Sequence, residues 1–225
     1  MSMQSQNFNC LEALADKAVG CRVCFDLGEV KPARITRAQP RWVGSRYWET
    51  SPRIMIVLLN PGSGANRTDS ADDRLLSLLD AYAENRGTLA AIMDHQAADM
   101  PNWGNGRYAR FYLEGLGLDL ESIAFANVAW CATHKNKYPQ KMLSRCFARH
   151  TLPLATVLSP DVILLSGSKT HAFESVIQNQ RPNVRIIKML HYAHRKGHIP
   201  ERDELLRVRQ IINNVVQQVI RPERE

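Results

Sequence analysis

The sequence lacks any run that approaches the roughly 20 consecutive apolar residues needed to cross a bilayer, so we expect no membrane span. Its first residues, Met1 to Gln6, lack a basic region followed by an apolar core, which argues against a secretory signal and predicts a cytoplasmic protein. It also has no internal repeat, long linker or low-complexity tract. We therefore expect a single domain over residues 1–225, with residues 1–50 as an N-terminal extension, and a monomer.

Cysteine is scarce, with five residues at positions 10, 21, 24, 131 and 146. An odd number argues against a complete disulfide framework, and clustered cysteines in a reducing compartment indicate metal or redox chemistry. Cys21 and Cys24 form a C-x-x-C pair, and Cys131 and Cys146 can complete a four-thiolate shell for zinc or an iron–sulfur cluster. The alternative is a lone C-x-x-C pair with two buried apolar cysteines.

The chain carries an excess of positive charge, with a formal net charge of +7 and a pI of about 9.3. Such an excess favours polyanionic partners, because each Lys or Arg that binds a phosphate releases counterions. A charge that only keeps the protein in solution is the alternative.

Short apolar runs alternate with helical patterns from residue 53 onward. The runs cover residues 54–59, 123–127, 161–165 and 184–190. Helical patterns cover residues 70–87, 88–94, 107–116 and 141–149, start near Lys169, and begin again at Pro200. This alternation predicts a mostly parallel sheet of about four strands, covered by helices on both faces.

Polar groups follow the predicted strands at the edge where parallel sheets bind their ligands. They are Asn60, Asn127, residues 166–168 and His191. Amide and imidazole groups can hydrogen-bond a planar heterocycle or hold a water. We therefore expect these residues to meet in one cleft.

These motifs together resemble the uracil-DNA glycosylase superfamily, and the cysteine pattern resembles its iron–sulfur group, often called family 4. That group has C-x-x-C, then N-x-x-x-C, then N-R-x-P, then a cysteine in the next helix. Here the motifs are Cys21-Arg-Val-Cys24, Asn127-Val-Ala-Trp-Cys131, Asn136-Lys-Tyr-Pro139 and Cys146. The resemblance runs from about residue 21 to the C-terminus.

The resemblance implies a three-layer αβα sandwich with a central parallel sheet. It also implies a DNA glycosylase that flips uracil or another deaminated base out of DNA and hydrolyses its glycosidic bond. The four cysteines would hold a structural 4Fe–4S cluster, with zinc as the alternative.

Two motifs depart from the iron–sulfur group. Its first motif is typically G-E-A-P-G, whereas this chain has Leu58-Leu59-Asn60-Pro61-Gly62, closer to the G-x-N-P-G of mismatch-specific and single-strand-selective relatives. The usual H-P-S motif is His191-Tyr192-Ala193 here.

The resemblance also implies roles for the strand-end residues. Asn60 would orient the attacking water, and His191 would donate a hydrogen bond to the departing base. Asn127 would pair with the base edge, Trp103 would stack on the base, and Pro61 and Gly62 would line its pocket. The alternatives are an Asn-Pro turn for Asn60, backbone hydrogen bonding for Asn127 and simple packing for Trp103, with Tyr108 or Phe111 stacking instead.

Several polar residues on the strand-end loops are candidates for DNA phosphate contacts, and residues near Arg195 could wedge into the space left by the base. They are Ser63, Ser168, Lys169, Arg195 and Lys196, with His134 and His194 as further exposed candidates. Two other functions stay open. The first is a protein with a structural metal site that binds nucleic acid without cutting it, and the second is a protein of this fold that binds a different small ligand.

Overall fold

A computed structural model describes residues 3–61, 69–194 and 200–220. In these residues four strands form one sheet with the order β2-β1-β3-β4. The strands are β1 (Ile54–Leu58), β2 (Ile123–Asn127), β3 (Val162–Ser166) and β4 (Arg185–Met189). Strand β3 pairs in parallel with both of its neighbours, with Ile54 opposite Val162 and Val162 opposite Arg185. The predicted α/β fold with a central parallel sheet of four strands is confirmed.

Burial of the strands explains why short apolar runs predicted them well. Strands β1, β2 and β3 are buried at all five positions, as expected for strands covered on both faces. Strand β4 lies at an edge, and its Arg185 and Lys188 are exposed. Charged side chains on an edge strand oppose pairing with a second chain.

Helices separate the strands as the sequence predicts. They are α1 (Met3–Val19), α2 (Val23–Asp26), α3 (Asp69–Ala83), α4 (Leu89–Asp99), α5 (Arg107–Ala109), α6 (Gln140–Cys146), α7 (Leu152–Leu158), α8 (Ser168–His171), α9 (Glu174–Gln180) and α10 (Glu201–Ile220). Short 3-10 turns cover Tyr47–Glu49, Met100–Asn102, Leu120–Ser122 and His134–Asn136.

Local sequence signals account for several helix boundaries. The hydroxyl of Thr88 accepts a hydrogen bond from the Ala91 N–H at 3.2 Å and so caps α4. Pro200 directly precedes α10, as expected for a residue that favours a helix start. On α10, Val208 and Ile212 are buried.

Two helices widen into π-helical turns that the sequence did not predict. Arg110–Glu114 follows α5, and Phe147–Thr151 follows α6 and leads into α7. A π turn closes hydrogen bonds between residues five apart, as Gly115 N–H does with the Arg110 carbonyl at 2.6 Å.

The chain forms two compact units, each built from three segments. Unit one contains Met1–Trp42, Leu59–Met100 and Ala126–Leu158, and unit two contains Val43–Leu58, Pro101–Phe125 and Ser159–Glu225. A single domain over residues 1–225 stays a prediction.

Part of the predicted N-terminal extension belongs to the core of unit one. Helix α1 packs on α7 and α3, and Val19 and Ile35 are buried with Leu75, Leu79 and Ile92.

Among the described residues, no helix has the length and apolar character needed to cross a bilayer.

Candidate functional site

The four cysteines singled out by their spacing line one small cavity in unit one. Cys24, Cys131 and Cys146 are buried and Cys21 is partly exposed, whereas Cys10 lies exposed on α1. Arg22, Arg145, Arg149 and His150 also line the cavity. The cavity thus combines four sulfur atoms with three guanidinium groups.

The thiol groups are close enough to influence one another's ionisation. Burial raises the pKa of Cys146 to about 12 and also raises the pKa of Cys131, and neighbouring cysteines of the set add to both shifts. Burial also raises the pKa of Cys24, and Cys21 adds to that shift. Four thiolates in one such cavity require a compensating cation, because uncompensated buried charge is costly.

Two N–H groups already face sulfur atoms of the cavity. The Trp130 backbone N–H donates to Cys146 Sγ at 3.2 Å, and Arg145 Nη1 donates to Cys24 Sγ at 3.7 Å. Hydrogen bonds to cysteine sulfur stabilise thiolates and tune the metal centres that they hold.

Backbone pairing joins the segment after the C-x-x-C motif to the loop that carries Cys131. Isolated bridges pair Pro32 with Thr133 and Ala38 with Cys131 in antiparallel fashion. The Gln39 N–H donates to the Trp130 carbonyl at 2.8 Å. The pairing places Cys131 on a braced segment.

Asn60 comes shortly after β1, and Asn127 is the last residue of β2. A backbone hydrogen bond in unit one joins the segments that carry them. The Ala129 N–H donates to the Leu59 carbonyl at 2.8 Å. The Asn127 side-chain amide lies 3.3 Å from the nitrogen of Pro61. The structure thus brings Asn127 next to the first motif.

Arg41 orients the Asn127 amide. The orientation that satisfies both amide atoms has Oδ1 accepting from Arg41 Nε at 3.3 Å and Nδ2 donating to the Ala126 carbonyl at 3.2 Å. The oxygen and the nitrogen of the Asn127 amide each keep a second hydrogen-bonding position, so the amide can still present one donor and one acceptor to a base. Thr151 fixes the backbone here, because its hydroxyl donates to the Asn127 carbonyl at 2.5 Å.

The Asn60 amide faces the turn that follows Cys131. Its Nδ2 lies 3.5 Å from Asn136 Oδ1. Asn60 therefore has a side-chain partner in the motif of residues 136–139.

His191 follows β4 in unit two, where its imidazole lies against Gly167. Gly167 has φ +96°, and a side chain there would bring a Cβ atom within 3.3 Å of His191 Cβ. Burial, with a smaller effect of His194, lowers the pKa of His191 to about 4. Nδ1 accepts from the Ala193 N–H at 3.2 Å, so the neutral ring carries its proton on Nε2 and can donate it there.

A chain of hydroxyl groups fixes the backbone beside His191. Tyr112 and Ser166 share a hydrogen bond of 2.5 Å, and the Ser166 hydroxyl donates to the Leu190 carbonyl at 3.1 Å. The Tyr192 N–H lies 3.5 Å from the Tyr112 hydroxyl. These contacts hold the ends of β3 and β4 in one arrangement around His191.

Trp103 belongs to a cluster of aromatic rings in unit two. It is 8% exposed and packs edge-on against Tyr108, with ring centres 5.1 Å apart. Tyr108 contacts Tyr112, Phe125 and Tyr192 in turn. This placement matches the packing alternative for Trp103, and a stacking role for it stays a prediction.

The candidate phosphate contacts are only partly covered by the structure. Ser168 and Lys169 are exposed at the start of α8. His134 and His194 are also exposed. Gly62, Ser63, Arg195 and Lys196 lie outside the described residues.

Sequence reasoning missed Arg41 and Tyr138 as site residues. Arg41 is 4% exposed, but its position in a stretch rich in Arg, Pro and aromatic residues predicted only irregular structure. Tyr138 lies inside the motif of residues 136–139, in which Asn136 and Pro139 are the residues that match the family pattern. Comparison of the chain with profiles of known protein families and with curated proteins finds no match.

Proposed function

We propose that this protein is a DNA glycosylase that extrudes uracil or another deaminated base from DNA and hydrolyses its N-glycosidic bond. The observation that carries the proposal is the Asn127 amide, which lies 3.3 Å from the Pro61 nitrogen, directly beside Asn60. The amide proposed to bind the base edge thus lies against the residue that follows the one proposed to orient water. A basic chain with a net charge of +7 suits the phosphate backbone.

Each residue has a defined part in the proposed reaction. Asn60 orients a water toward the sugar carbon, and Asn127 presents a donor and an acceptor to the base. The bond from sugar carbon to base nitrogen breaks with its electron pair leaving on the base, while water adds to the carbon and its proton passes to the base or solvent. His191, neutral near pH 7, donates from Nε2 to the oxygen on which charge develops. That Asn60 and Asn127 meet His191 in one cleft stays a prediction.

We also propose that Cys21, Cys24, Cys131 and Cys146 hold a 4Fe–4S cluster. Among the described residues, no three His, Cys, Asp or Glu side chains are arranged to hold a single metal ion. The four cysteines line one cavity, and four thiolates are the usual ligands of a 4Fe–4S cluster. Zinc bound by the same four thiolates is the alternative. The cluster would act structurally, by fixing the loop after Asn127 to the N-terminal segment.

Release of free base from oligonucleotides containing uracil, hypoxanthine or xanthine, in single and double strands, tests the function. We expect release by the wild-type protein and a loss of about 100-fold in Asn60→Ala, since a misplaced nucleophile costs about that much. Asn213→Ala is a matched control, because Asn213 is exposed within α10, where alanine fits a regular helix, and lies outside the motif segments. Salt-dependent binding of DNA with no release from any substrate would contradict the proposal and favour a binding protein.

A further inference from the structure

Glu204 is a buried carboxylate that the sequence motifs do not include. It lies in the first turn of α10 and is 3% exposed. Its Oε1 accepts a hydrogen bond from the Leu190 backbone N–H at 2.9 Å. Leu190 directly precedes His191, so this carboxylate binds the backbone that leads into the imidazole, and all three residues belong to unit two.

A second residue of α10 holds the Glu204 carboxylate in place. Arg207 Nε donates to Oε2 and Arg207 Nη2 donates to Oε1, each at 2.9 Å. The same Nη2 donates to the Lys188 carbonyl of β4 at 2.7 Å. Burial alone would raise the pKa of Glu204, but hydrogen bonds from Arg207 and Leu190 lower it, so the carboxylate is ionised near pH 7.

Both peptide groups that flank Leu190 are held by neighbouring elements. The group before it has its N–H bound to Glu204, and its carbonyl, that of Met189, accepts from the Gly167 N–H at 2.9 Å. The group after it has its carbonyl bound by the Ser166 hydroxyl at 3.1 Å. Because each peptide group is planar, holding both groups fixes the backbone dihedral angles of Leu190 and the direction in which the chain continues.

The position of the His191 imidazole depends on this backbone. Its Nδ1 accepts from the Ala193 N–H, so the ring is held by its own segment of the chain. A change in the peptide groups around Leu190 therefore moves the ring and the N–H group at Nε2. Of the three contacts that hold these peptide groups, that of Glu204 is the one made by α10.

We propose that Glu204 is a positioning residue: by holding the Leu190 N–H, its carboxylate sets the place from which His191 donates a hydrogen bond through Nε2. The inference rests on the proposed function of His191 as the donor to the departing base. It gives α10, which carries none of the sequence motifs, a defined role at the site.

Glu204→Gln and Glu204→Met separate positioning from a contact that only adds stability. Glutamine keeps an oxygen for the Leu190 N–H, but its amide nitrogen places a donor against Arg207 Nε. Methionine has a similar length and offers no oxygen to either partner. Both variants weaken the contact with Arg207 and should lower the thermal unfolding midpoint, whereas only methionine releases Leu190.

Base release, measured at a temperature at which all variants are folded, gives the first result. We expect kcat to fall about 10- to 100-fold in Glu204→Met, at most the loss caused by removing such a donor outright. In Glu204→Gln, kcat should stay within about threefold of the wild-type value, because the hydrogen bond to Leu190 is kept. The KM should stay within about twofold in both variants, since His191 acts on charge that develops in the transition state.

Glu174→Met is the matched control. Glu174 Oε2 binds Lys188 Nζ at 2.9 Å, so this carboxylate also joins a helix to β4, but through a side chain and not through the backbone beside His191. We expect its kcat to equal that of the wild type. An unchanged kcat in Glu204→Met, equal losses in Glu204→Met and Glu204→Gln, or a loss confined to KM would each overturn the positioning role.

Nitrogen chemical shifts of the His191 ring test the inference without any base release. At pH 7 the wild-type ring carries its proton on Nε2, because Nδ1 accepts from the Ala193 N–H. We expect the same shifts in Glu204→Gln and a change toward a mixture of both tautomers in Glu204→Met.

The same shifts keep this inference separate from the proposed function. A wild-type protein that releases no base removes the proposed function, and wild-type shifts in Glu204→Met would contradict the inference in that case as well. If Glu204→Met does not fold, Glu204→Asp takes its place with the same expected losses, since the shorter side chain keeps the charge and withdraws the acceptor from the Leu190 N–H.

Discussion

Arg145, which lines the cysteine cavity, forms a two-point ion pair with Glu29, with Nη1 2.7 Å from Oε2 and Nη2 2.9 Å from Oε1. The same Nη1 donates to Cys24 Sγ, so the guanidinium group contacts a carboxylate and a thiol at once. Hydrogen bonding to Arg145 lowers the pKa of Glu29. Glu29 thus holds Arg145 in place beside the sulfur.

Arg145→Gln should weaken metal retention. The substitution removes the positive charge next to Cys24 and leaves the Glu29 carboxylate facing the thiolates, and loss of such outer-shell partners typically costs about 10- to 100-fold in metal affinity. We expect metal to be lost to a chelator at least about tenfold faster than from the wild type. Loss of visible absorption, or transfer of metal to a chromogenic chelator, measures the rate.

Arg34→Gln is the control for Arg145. Arg34 makes a similar two-point contact with Asp73, at 2.7 Å for each bond, and it lies outside the cavity lining. Equal rates of metal loss from both variants would show that Arg145 acts only through general stability.

Cys131→Ser and Cys146→Ser should each abolish stable metal binding. Serine is close in size but supplies no thiolate, and both sulfurs are buried in the cavity. Iron, sulfide and zinc analysis of protein purified without oxygen gives the result, with broad absorption near 400 nm expected for the wild type. Cys10→Ser is the control, since Cys10 is exposed on α1 and should leave metal content unchanged.

A colourless wild-type protein with one zinc per chain would contradict the choice of cluster and keep the four-thiolate site. A protein that binds neither metal in stoichiometric amount would contradict the site itself.

His191 should add a pH-dependent contribution to stability. Its folded pKa of about 4 lies below the ordinary value of 6.5, chiefly because of burial. Between these values the unfolded chain binds more protons, so this contribution is complete above pH 6.5 and is lost as the pH falls toward 4. The shift corresponds to at most about 3 kcal/mol.

Chemical unfolding of wild type and His191→Gln at several pH values measures this contribution. The difference in unfolding free energy between the two proteins should change from pH 7 to pH 4. His134→Gln, which alters an exposed histidine, is the matched control. A difference for His191→Gln that is constant over this range would show that the imidazole titrates normally.

Arg41→Lys should reduce kcat/KM for the preferred base by about tenfold, the cost of about one charge-assisted hydrogen bond. Lysine keeps the charge but has no Nε–H in the position that holds Asn127 Oδ1. The loss should appear in base recognition, so competition between uracil and other bases is the informative assay. Arg37→Lys, at an ion pair with Asp80 in the same unit, should leave the preference unchanged.

The strands could be predicted from the sequence because strands that are buried on both faces consist almost entirely of apolar residues. Strands β1, β2 and β3 are buried at every position, and each is an uninterrupted apolar run. The π turns at Arg110–Glu114 and Phe147–Thr151 have no comparable pattern of residues in the sequence. One added residue per turn changes the apolar periodicity too little over five positions to separate it from that of a regular helix.

The residues of the candidate site likewise fall into those that the sequence predicted and those that it did not. The cysteines and the two asparagines were predictable because their chemistry and spacing are visible in the letters. Arg41 was not, because a guanidinium with only 4% exposure is recognised through its tertiary neighbours and not through its sequence context. Tyr138 was missed for the same reason, since its hydroxyl bonds the Thr133 N–H and the Cys131 carbonyl, which only folding brings together.

The π turn after α6 constrains how this part of the chain can change in length. Cys146 Sγ accepts from the Trp130 N–H, and the Thr151 hydroxyl accepts from the Trp130 indole N–H at 3.1 Å, so residues five apart both reach one tryptophan. In a regular α-helix such residues would point about 140° apart around the axis. Deleting a single residue between them would restore an ordinary helix with Thr151 four residues after Cys146, about 40° around the axis and still on the same face. Related proteins that keep this contact should therefore have either this π turn or an ordinary helix shorter by one residue, whereas an insertion there would turn Thr151 away from Trp130.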